Sequence, residues 1–255
     1  MIETAALQIL LEKWLASFLL IFARLIGFIS QAPVFSELSI PALVKVGFAL
    51  AFGVILSHLV ETPSYPDLQT NFYFALVINV LVGVMVGYLI KLVTYIIETA
   101  GEFIDLQLGL NFASIINPGV GQETLLQKFY RNFGLVIFAT SGGMEIALTM
   151  FLKSFHLFGL TSTNFAQFNL DPIQIVTMTG NVISLAIIAA APVILVIVFM
   201  DIVLGLMSRA APQINPFNLS YSLKPPVGLI VILLTLPFFQ TRVLKIILEG
   251  AVIFK

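Results

Sequence analysis

From Pro172 to Met200 the chain carries no charged residue. A helix of roughly 20 mainly apolar residues crosses the hydrocarbon core of a membrane, and this stretch exceeds that length. The same bias extends over all 255 residues, of which 59% are hydrophobic and 10% are charged, whereas about 25% of a soluble domain is charged. A soluble enzyme is therefore excluded, because lipid or other subunits must cover the surplus apolar surface.

Six long apolar segments are separated by short stretches rich in proline, glycine and asparagine. This pattern predicts an all-α, polytopic membrane-associated protein, with residues 1–255 forming one helical domain. The predicted spans are Trp14–Ser30, Ala42–Val60, Phe72–Ile97, Phe133–Leu152, Ile173–Leu206 and Val227–Phe239. Asp171 and Pro172 predict the start of the fifth span, and Pro192 is expected to kink that helix or split it in two.

The charged connections conflict with six simple crossings. The loop Glu61–Asn71 is acidic and has no Lys or Arg, so the positive-inside rule places it outside the cytoplasm. Alternating crossings from this loop would also place the C-terminal tail outside, although the tail carries Arg242, Lys245 and Lys255. One segment is therefore expected to form a hairpin or a re-entrant stretch that other protein covers.

Several interpretations are excluded by what the sequence lacks. It has no cysteine, and His58 and His156 have no further ligand at metal-binding spacing. The sequence contains no glycine-rich phosphate-binding loop with its lysine. Its net charge of -1 gives no excess of basic residues for binding nucleic acid. We therefore expect no enzymatic activity, no cofactor and no metal. Glu3, Glu12 and Lys13 stand where a secretory leader has a basic region, so we expect the first span to be retained.

Polar and small residues share one face of the third span at helical spacing. They are Asn79, Gly83, Gly87, Lys91, Glu98, Glu102 and Asp105. Gly83 and Gly87 form a G-x-x-x-G pair that permits close helix approach, and the three carboxylates need cations, from Lys128 and Arg131 or from a partner. We interpret this face as a subunit interface, with packing inside the chain as an equal alternative. A proton relay or a solvated helix end would also explain the carboxylates. Further members of the predicted interface are Asn181, Arg209 and Lys224.

The connection between the third and fourth spans is unusually apolar for a loop. Leu106–Gln122 reads LQLGLNFASIINPGVGQ and contains no charge. Asn117, Pro118 and Gly119 suit a tight turn, because proline fixes one φ angle and glycine permits a positive one. The large apolar side chains need cover, so we expect the segment to tuck into protein. A packing loop without any gating role is the alternative.

Three separated motifs extend over most of the chain. They are Ala23–Lys45 (ARLIGFISQAPVFSELSIPALVK), Gly101–Gly109 (GEFIDLQLG) and Gly205–Gly228 (GLMSRAAPQINPFNLSYSLKPPVG). In order and spacing they resemble the FliR/SctT family of type III export-gate proteins. The resemblance implies kinked helical hairpins that do not all cross the bilayer. It also implies a non-enzymatic subunit of the flagellar export gate, in the bacterial inner membrane at the flagellar basal body.

The resemblance further implies partners and a plug. The partners would be FliP-type and FliQ-type gate subunits, FlhB-type and FlhA-type export proteins, and the exported flagellar proteins. In the family, the loop after the G-E-F-I-D-x-Q motif closes the channel. Carried onto this chain, that plug consists of Leu106, Gln107, Leu108, Gly109, Leu110, Asn111, Phe112, Ala113, Ser114, Ile115, Ile116, Asn117, Pro118 and Gly119.

Three other functions compete with flagellar export. The injectisome homologue of the same family has overlapping motifs. A small secondary transporter would be favoured by paired discontinuous helices in two matching halves, and the sequence shows no such symmetry. A membrane scaffold without a channel also fits the composition.

Overall fold

The computed structural model describes residues 2–37, 40–60, 65–110, 124–161, 172–211, 213 and 215–252. Within these ranges the chain is helical and contains no strand, so the predicted all-α class is confirmed. The helices are α1 Ile2–Gln31, α2 Pro33–Glu37, α3 Ala42–Leu59, α4 Tyr65–Leu108, α5 Leu125–Thr140, α6 Gly143–Leu157, α7 Pro172–Ala210 and α8 Pro216–Val252.

Five of the described helices, α1, α3, α4, α7 and α8, are long and apolar enough to cross a membrane. The bent pair α5 and α6 makes a sixth candidate if both helices belong to one span. The polytopic helical architecture is therefore confirmed, with five to six apolar segments.

The predicted span Phe133–Leu152 is not one continuous helix, which agrees with the expectation that one of the six segments is not a simple crossing. Helix α5 ends at Thr140, and α6 begins at Gly143. Between them Gly142 has a φ of 81°, a left-handed conformation that a glycine adopts without steric cost and that ends a helix. Both flanks are apolar, so hydropathy alone could not reveal the break. The pair is a broken span or a re-entrant segment.

Proline does not divide the two long C-terminal helices. Helix α7 begins at Pro172, as predicted, and continues through Pro192. Of the two effects expected of Pro192, the split is therefore wrong, and the kink stays a prediction. Helix α8 likewise continues through Pro225, Pro226 and Pro237, which makes it much longer than the predicted last span. A proline removes one helical hydrogen bond, and the surrounding turns of a long helix retain the remainder. Asp171, the predicted cap of α7, lies outside the described residues.

The chain forms two compact units, Met1–Lys91 with Gly142–Ile175, and Leu92–Ser141 with Val176–Lys255. In the first unit, α1 packs against α3 and closely against α4. A Cβ atom added to Gly83 would overlap the Arg24 carbonyl oxygen, and one added to Gly87 would lie 2.7 Å from the Phe28 carbonyl oxygen. Gly83 lies beside Arg24, and Gly87, one turn later, lies beside Phe28. The contacts thus progress in the same direction along both helices, so α1 and α4 run parallel. The two glycines thus serve packing within the chain.

In the second unit, the end of α4 and the beginning of α5 form an antiparallel helical hairpin. Three contacts recur every four residues along it: Ile97 with Gly134, Gly101 with Tyr130, and Asp105 with Leu126. A Cβ atom on Gly101 would lie 2.7 Å from the Leu126 carbonyl oxygen. Glycine on each helix therefore allows the close approach that brings Asp105 to the amino-terminal end of α5.

Candidate functional site

The connection predicted as a plug begins and ends at one cluster of polar residues in the second unit. We call this cluster the hairpin root. It consists of Glu98, Asp105, Thr124, Gln127 and Arg131, together with the backbone N–H group of Leu126. The root lies at the end of the antiparallel hairpin, and the chain between its two sides is the apolar connection.

Asp105 is the fully buried centre of the hairpin root. Its Oδ2 atom accepts hydrogen bonds from the backbone N–H groups of Leu126 at 2.7 Å and Gln127 at 3.1 Å. The first turn of α5 contains no acidic residue of its own. A carboxylate from α4 therefore satisfies two of the unpaired N–H groups of α5 and complements the positive end of its dipole.

The side chain of Gln127, in the first turn of α5, makes hydrogen bonds to the start of its own helix and to α4. Its Oε1 atom accepts a hydrogen bond from the Thr124 backbone N–H at 3.2 Å, and its Nε2 atom donates to Glu98 Oε1 at 3.0 Å. Arg131 Nη1 lies 3.9 Å from the same Glu98 oxygen. The charge of Glu98 is thus answered within the chain by Arg131, one of the two cations that the sequence offered.

The described part of the predicted plug comprises Leu106, Gln107, Leu108, Gly109 and Leu110. Helix α4 ends in it because Gly109 has a φ of 74°. The Leu108 side chain is buried and packs where Gly228 of α8 has no side chain, whereas Leu106 is 54% exposed. The Tyr221 ring of α8 lies beside Gly109. The other predicted plug residues, Asn111, Phe112, Ala113, Ser114, Ile115, Ile116, Asn117, Pro118 and Gly119, lie outside the described residues.

A second polar cluster, in the first unit, surrounds the buried guanidinium of Arg24. Arg24 donates from Nε to Asn79 Oδ1 at 2.8 Å, from Nη1 to the Ser154 carbonyl oxygen at 2.9 Å, and from Nη2 to the Phe158 carbonyl oxygen at 2.9 Å. It also lies 4.3 Å from the centre of the Phe155 ring. The Ser154 carbonyl belongs to the last turn of α6, and Phe158 is the residue that follows this helix. Arg24 therefore binds the negative end of that helix.

The structure separates the predicted interface residues into enclosed and accessible ones. Asn79 and Asp105 are fully buried within the chain, and Gly83 and Gly87 pack against α1. Lys91 and Glu98 are half-buried and have interactions inside the chain. Lys224 Nζ lies 2.7 Å from Asp201 Oδ1. The exposed members are Glu102, Asn181 and Arg209.

Sequence reasoning missed two roles. Arg24 stood out as a charge inside an apolar span, but its partners lie 55 to 134 residues away in the sequence. Asp105 was grouped with Glu98 and Glu102 by spacing alone. In the part of the chain that the structure describes, no group of three or more His, Asp or Glu side chains is arranged to hold a metal ion.

Buried polar clusters between helices that are long, apolar and widely exposed define a multi-pass helical membrane protein. Residues 15–250 match the model of the family described as bacterial export proteins, family 1. The chain belongs to this family.

Curated relatives agree with this assignment. The chain is 30% identical to the flagellar biosynthetic protein FliR of Aquifex aeolicus, over 89% of this chain and 87% of the relative. It is 29% identical to FliR of Escherichia coli K12, over 91% of this chain and 89% of the relative. It is 32% identical to the surface presentation of antigens protein SpaR of Shigella sonnei, over 74% of this chain and 72% of the relative. The resemblance to the FliR/SctT family is thereby confirmed.

Proposed function

We propose that this protein is a non-enzymatic subunit of the type III protein export gate in the bacterial inner membrane, and that it serves flagellar assembly. The membership in a family of bacterial export proteins carries the proposal. The flagellar relatives match about nine-tenths of the chain, whereas the SpaR relative matches 74% of it. Flagellar export is therefore favoured, and the injectisome role remains the second candidate because SpaR has a comparable identity.

Partners are needed to cover surface that this chain leaves open. Helix α7 exposes Gly180 and Asn181 inside an apolar stretch, where a polar side chain facing lipid is costly. We propose that FliP-type and FliQ-type subunits pack against such faces and that FlhB-type and FlhA-type proteins contact the assembled gate. Exported flagellar proteins would then pass along the path that these subunits enclose.

We further propose that Leu106–Gly119 plugs the closed path. Burial of a large apolar side chain contributes roughly 1.5–3 kcal/mol. A few such side chains can therefore hold a path closed and still yield to a cargo that displaces them. The support is the uncharged, apolar sequence Leu106–Gln122, which lies between the two sides of the hairpin root.

Co-expression with FliP-type and FliQ-type partners tests the assembly. A stable complex is expected to retain all three chains in detergent, and export and motility should be restored in a strain that lacks its own FliR-type protein. A stable, monodisperse monomer that retains no partner would contradict the proposal. Restored injectisome secretion without restored motility would favour the second candidate.

Deletion of residues 111–119 tests the plug. This deletion spares the hairpin root and leaves a connection as short as those of ordinary helical hairpins. The assembled complex should then conduct ions or admit small dyes, whereas the unmodified complex stays tight. A tight membrane with normal levels of complex would leave the segment as a packing loop.

A further inference from the structure

We propose that the ion pair of Asp201 with Lys224 holds α8 in its continuous form across Pro225 and Pro226, and that breaking the pair allows α8 to bend at these prolines. The pair is thus a conformational switch inside the second unit. The inference goes beyond the proposed function and does not depend on which export system the chain serves.

Two adjacent prolines weaken α8 at one place. Proline has no backbone N–H, so two successive hydrogen bonds of the helix are missing at Pro225 and Pro226. A proline also disfavours the helical conformation of the residue before it, and Lys224 is in that position. Sharp helix bends occur at such sites. Because α8 nevertheless continues through both prolines, contacts with other helices must offset the local cost.

The turns of α8 before the prolines are held by one largely enclosed charge. The Lys224 side chain is 16% exposed, and its Nζ atom lies 2.7 Å from Asp201 Oδ1 on α7. Much of the rest of this segment is exposed, and segments with few buried contacts move most readily. The exposed residues are Phe217, Asn218, Ser222 and Leu223. The ion pair therefore anchors a segment that other contacts hold only weakly.

The part of α8 after the prolines is fixed by apolar packing. Gly228 is buried, and Leu108 of α4 occupies the place that a side chain at Gly228 would take. Ile232, one turn later, is also buried. We therefore expect the turns before Pro225 to move, while the remainder of α8 keeps its place.

The two partners of the ion pair differ in burial, and this predicts which loss bends α8 more. The Asp201 side chain is 43% exposed, whereas the Lys224 side chain is 16% exposed. An enclosed ammonium group that loses its carboxylate is unfavourable, and it reaches water only if its helical turn moves. Asp201→Ala should therefore bend α8 strongly. Lys224→Met breaks the same pair without leaving an enclosed charge, so it should bend α8 less.

Distances between two spin labels measure the bend. The chain has no cysteine of its own, so labels can be attached to introduced cysteines, with any cysteine of co-purifying partners replaced. One label is placed at Ile183 of α7, and the other at Asn218, before the prolines, or at Leu229, after them. All three positions are exposed. The readout is a distance within this chain in the purified protein, so it does not require export activity.

The expected result is a second distance at one position only. The Ile183–Asn218 distance should have one main value in the otherwise unmodified chain. Asp201→Ala should add a second value, and the ratio of bent to continuous α8 should rise about fivefold or more, the lower end of common coupling strengths. Lys224→Met should show the second value to a smaller extent. The Ile183–Leu229 distance should keep one value throughout.

Replacement of the prolines locates the bend. Pro225→Leu with Pro226→Leu restores both N–H groups and introduces residues that favour a helix. Added to Asp201→Ala, this pair of changes should remove the second distance. The matched control is Pro237→Leu, which restores one N–H group about three turns later in the same helix. It should leave the second distance in place.

Three results would overturn the inference. A single Ile183–Asn218 distance in both Asp201→Ala and Lys224→Met would mean that the ion pair does not hold α8. A second distance that persists after both prolines are replaced would place the movement elsewhere. A second value of the Ile183–Leu229 distance would mean that α8 shifts as one body and does not bend.

Discussion

The Nη2 atom of Arg24 donates a 2.9 Å hydrogen bond to the carbonyl oxygen of Phe158, the residue that follows the last turn of α6. Asn79 reinforces this contact, because its Nδ2 atom donates to the Leu160 carbonyl oxygen at 2.8 Å. A guanidinium from α1 and an amide from α4 thus bind carbonyl groups that lie two residues apart just after α6. Three segments that are distant in sequence are held together by neutral oxygen acceptors.

Replacement of Arg24 should destabilise the protein strongly. Arg24→Ala leaves several buried acceptors without donors and should lower the free energy of unfolding by about 3 kcal/mol or more. Arg24→Lys should recover only part of this loss, because an ammonium group cannot reproduce the planar guanidinium fork. Thermal unfolding of the purified complex in detergent measures both. Lys153→Ala, at an exposed cation next to Ser154 on α6, is the control and should change little.

An alanine at position 83 should disrupt the parallel contact of α1 with α4. The added Cβ atom would overlap the backbone carbonyl of Arg24, which cannot move aside as a flexible side chain can. Overpacking of this kind costs about 1–3 kcal/mol. Gly47→Ala on α3, where a Cβ atom meets nothing within 4 Å, should be neutral or stabilising by up to about 1 kcal/mol. Equal stability of the two variants would argue against the close helix contact.

Local sequence patterns predicted much of the helical framework. The second predicted span begins at Ala42, and α3 begins at the same residue, after Pro41. The four-residue spacing of Gly83 and Gly87 correctly indicated a close helix contact. In both cases the signal comes from residues that are neighbours along one helix, which a sequence displays directly.

Contacts between distant segments could not be predicted in the same way. Asp105, Glu98 and Glu102 share a spacing, yet in the structure only Glu102 is exposed. The burial of Asp105 depends on the position of Leu126, 21 residues later. The partners of Arg24 lie on α4 and at the end of α6. Both sets of contacts depend on tertiary packing that spacing does not encode. The break at Gly142, by contrast, has a local signal in Ser141-Gly142-Gly143, which hydropathy alone passes over.

The ion pair of Lys224 with Asp201 should couple α7 to α8. The two charged atoms are 2.7 Å apart, and the Lys224 side chain is largely enclosed. Asp201→Asn and Lys224→Gln should each destabilise the protein, because the remaining charge loses its partner. The double variant should cost less than the sum of the two, with a coupling of about 0.5–3 kcal/mol. Additive losses, measured by unfolding of the three variants, would mean that the pair contributes nothing.

The exposed face of α7 tests whether a partner helix covers it. Leucine at Gly180 or Asn181 should be tolerated by the chain itself, because a Cβ atom on Gly180 meets nothing within 4 Å and Asn181 is exposed. If this face met lipid, Asn181→Leu would be favourable, since a polar amide would leave the hydrocarbon. If a partner helix packs there, the larger side chain prevents its close approach. We expect both variants to reach the membrane at normal levels but to retain less FliP-type and FliQ-type partner on co-purification. Undiminished partner recovery, or a complex made more stable by Asn181→Leu, would assign this face to lipid instead.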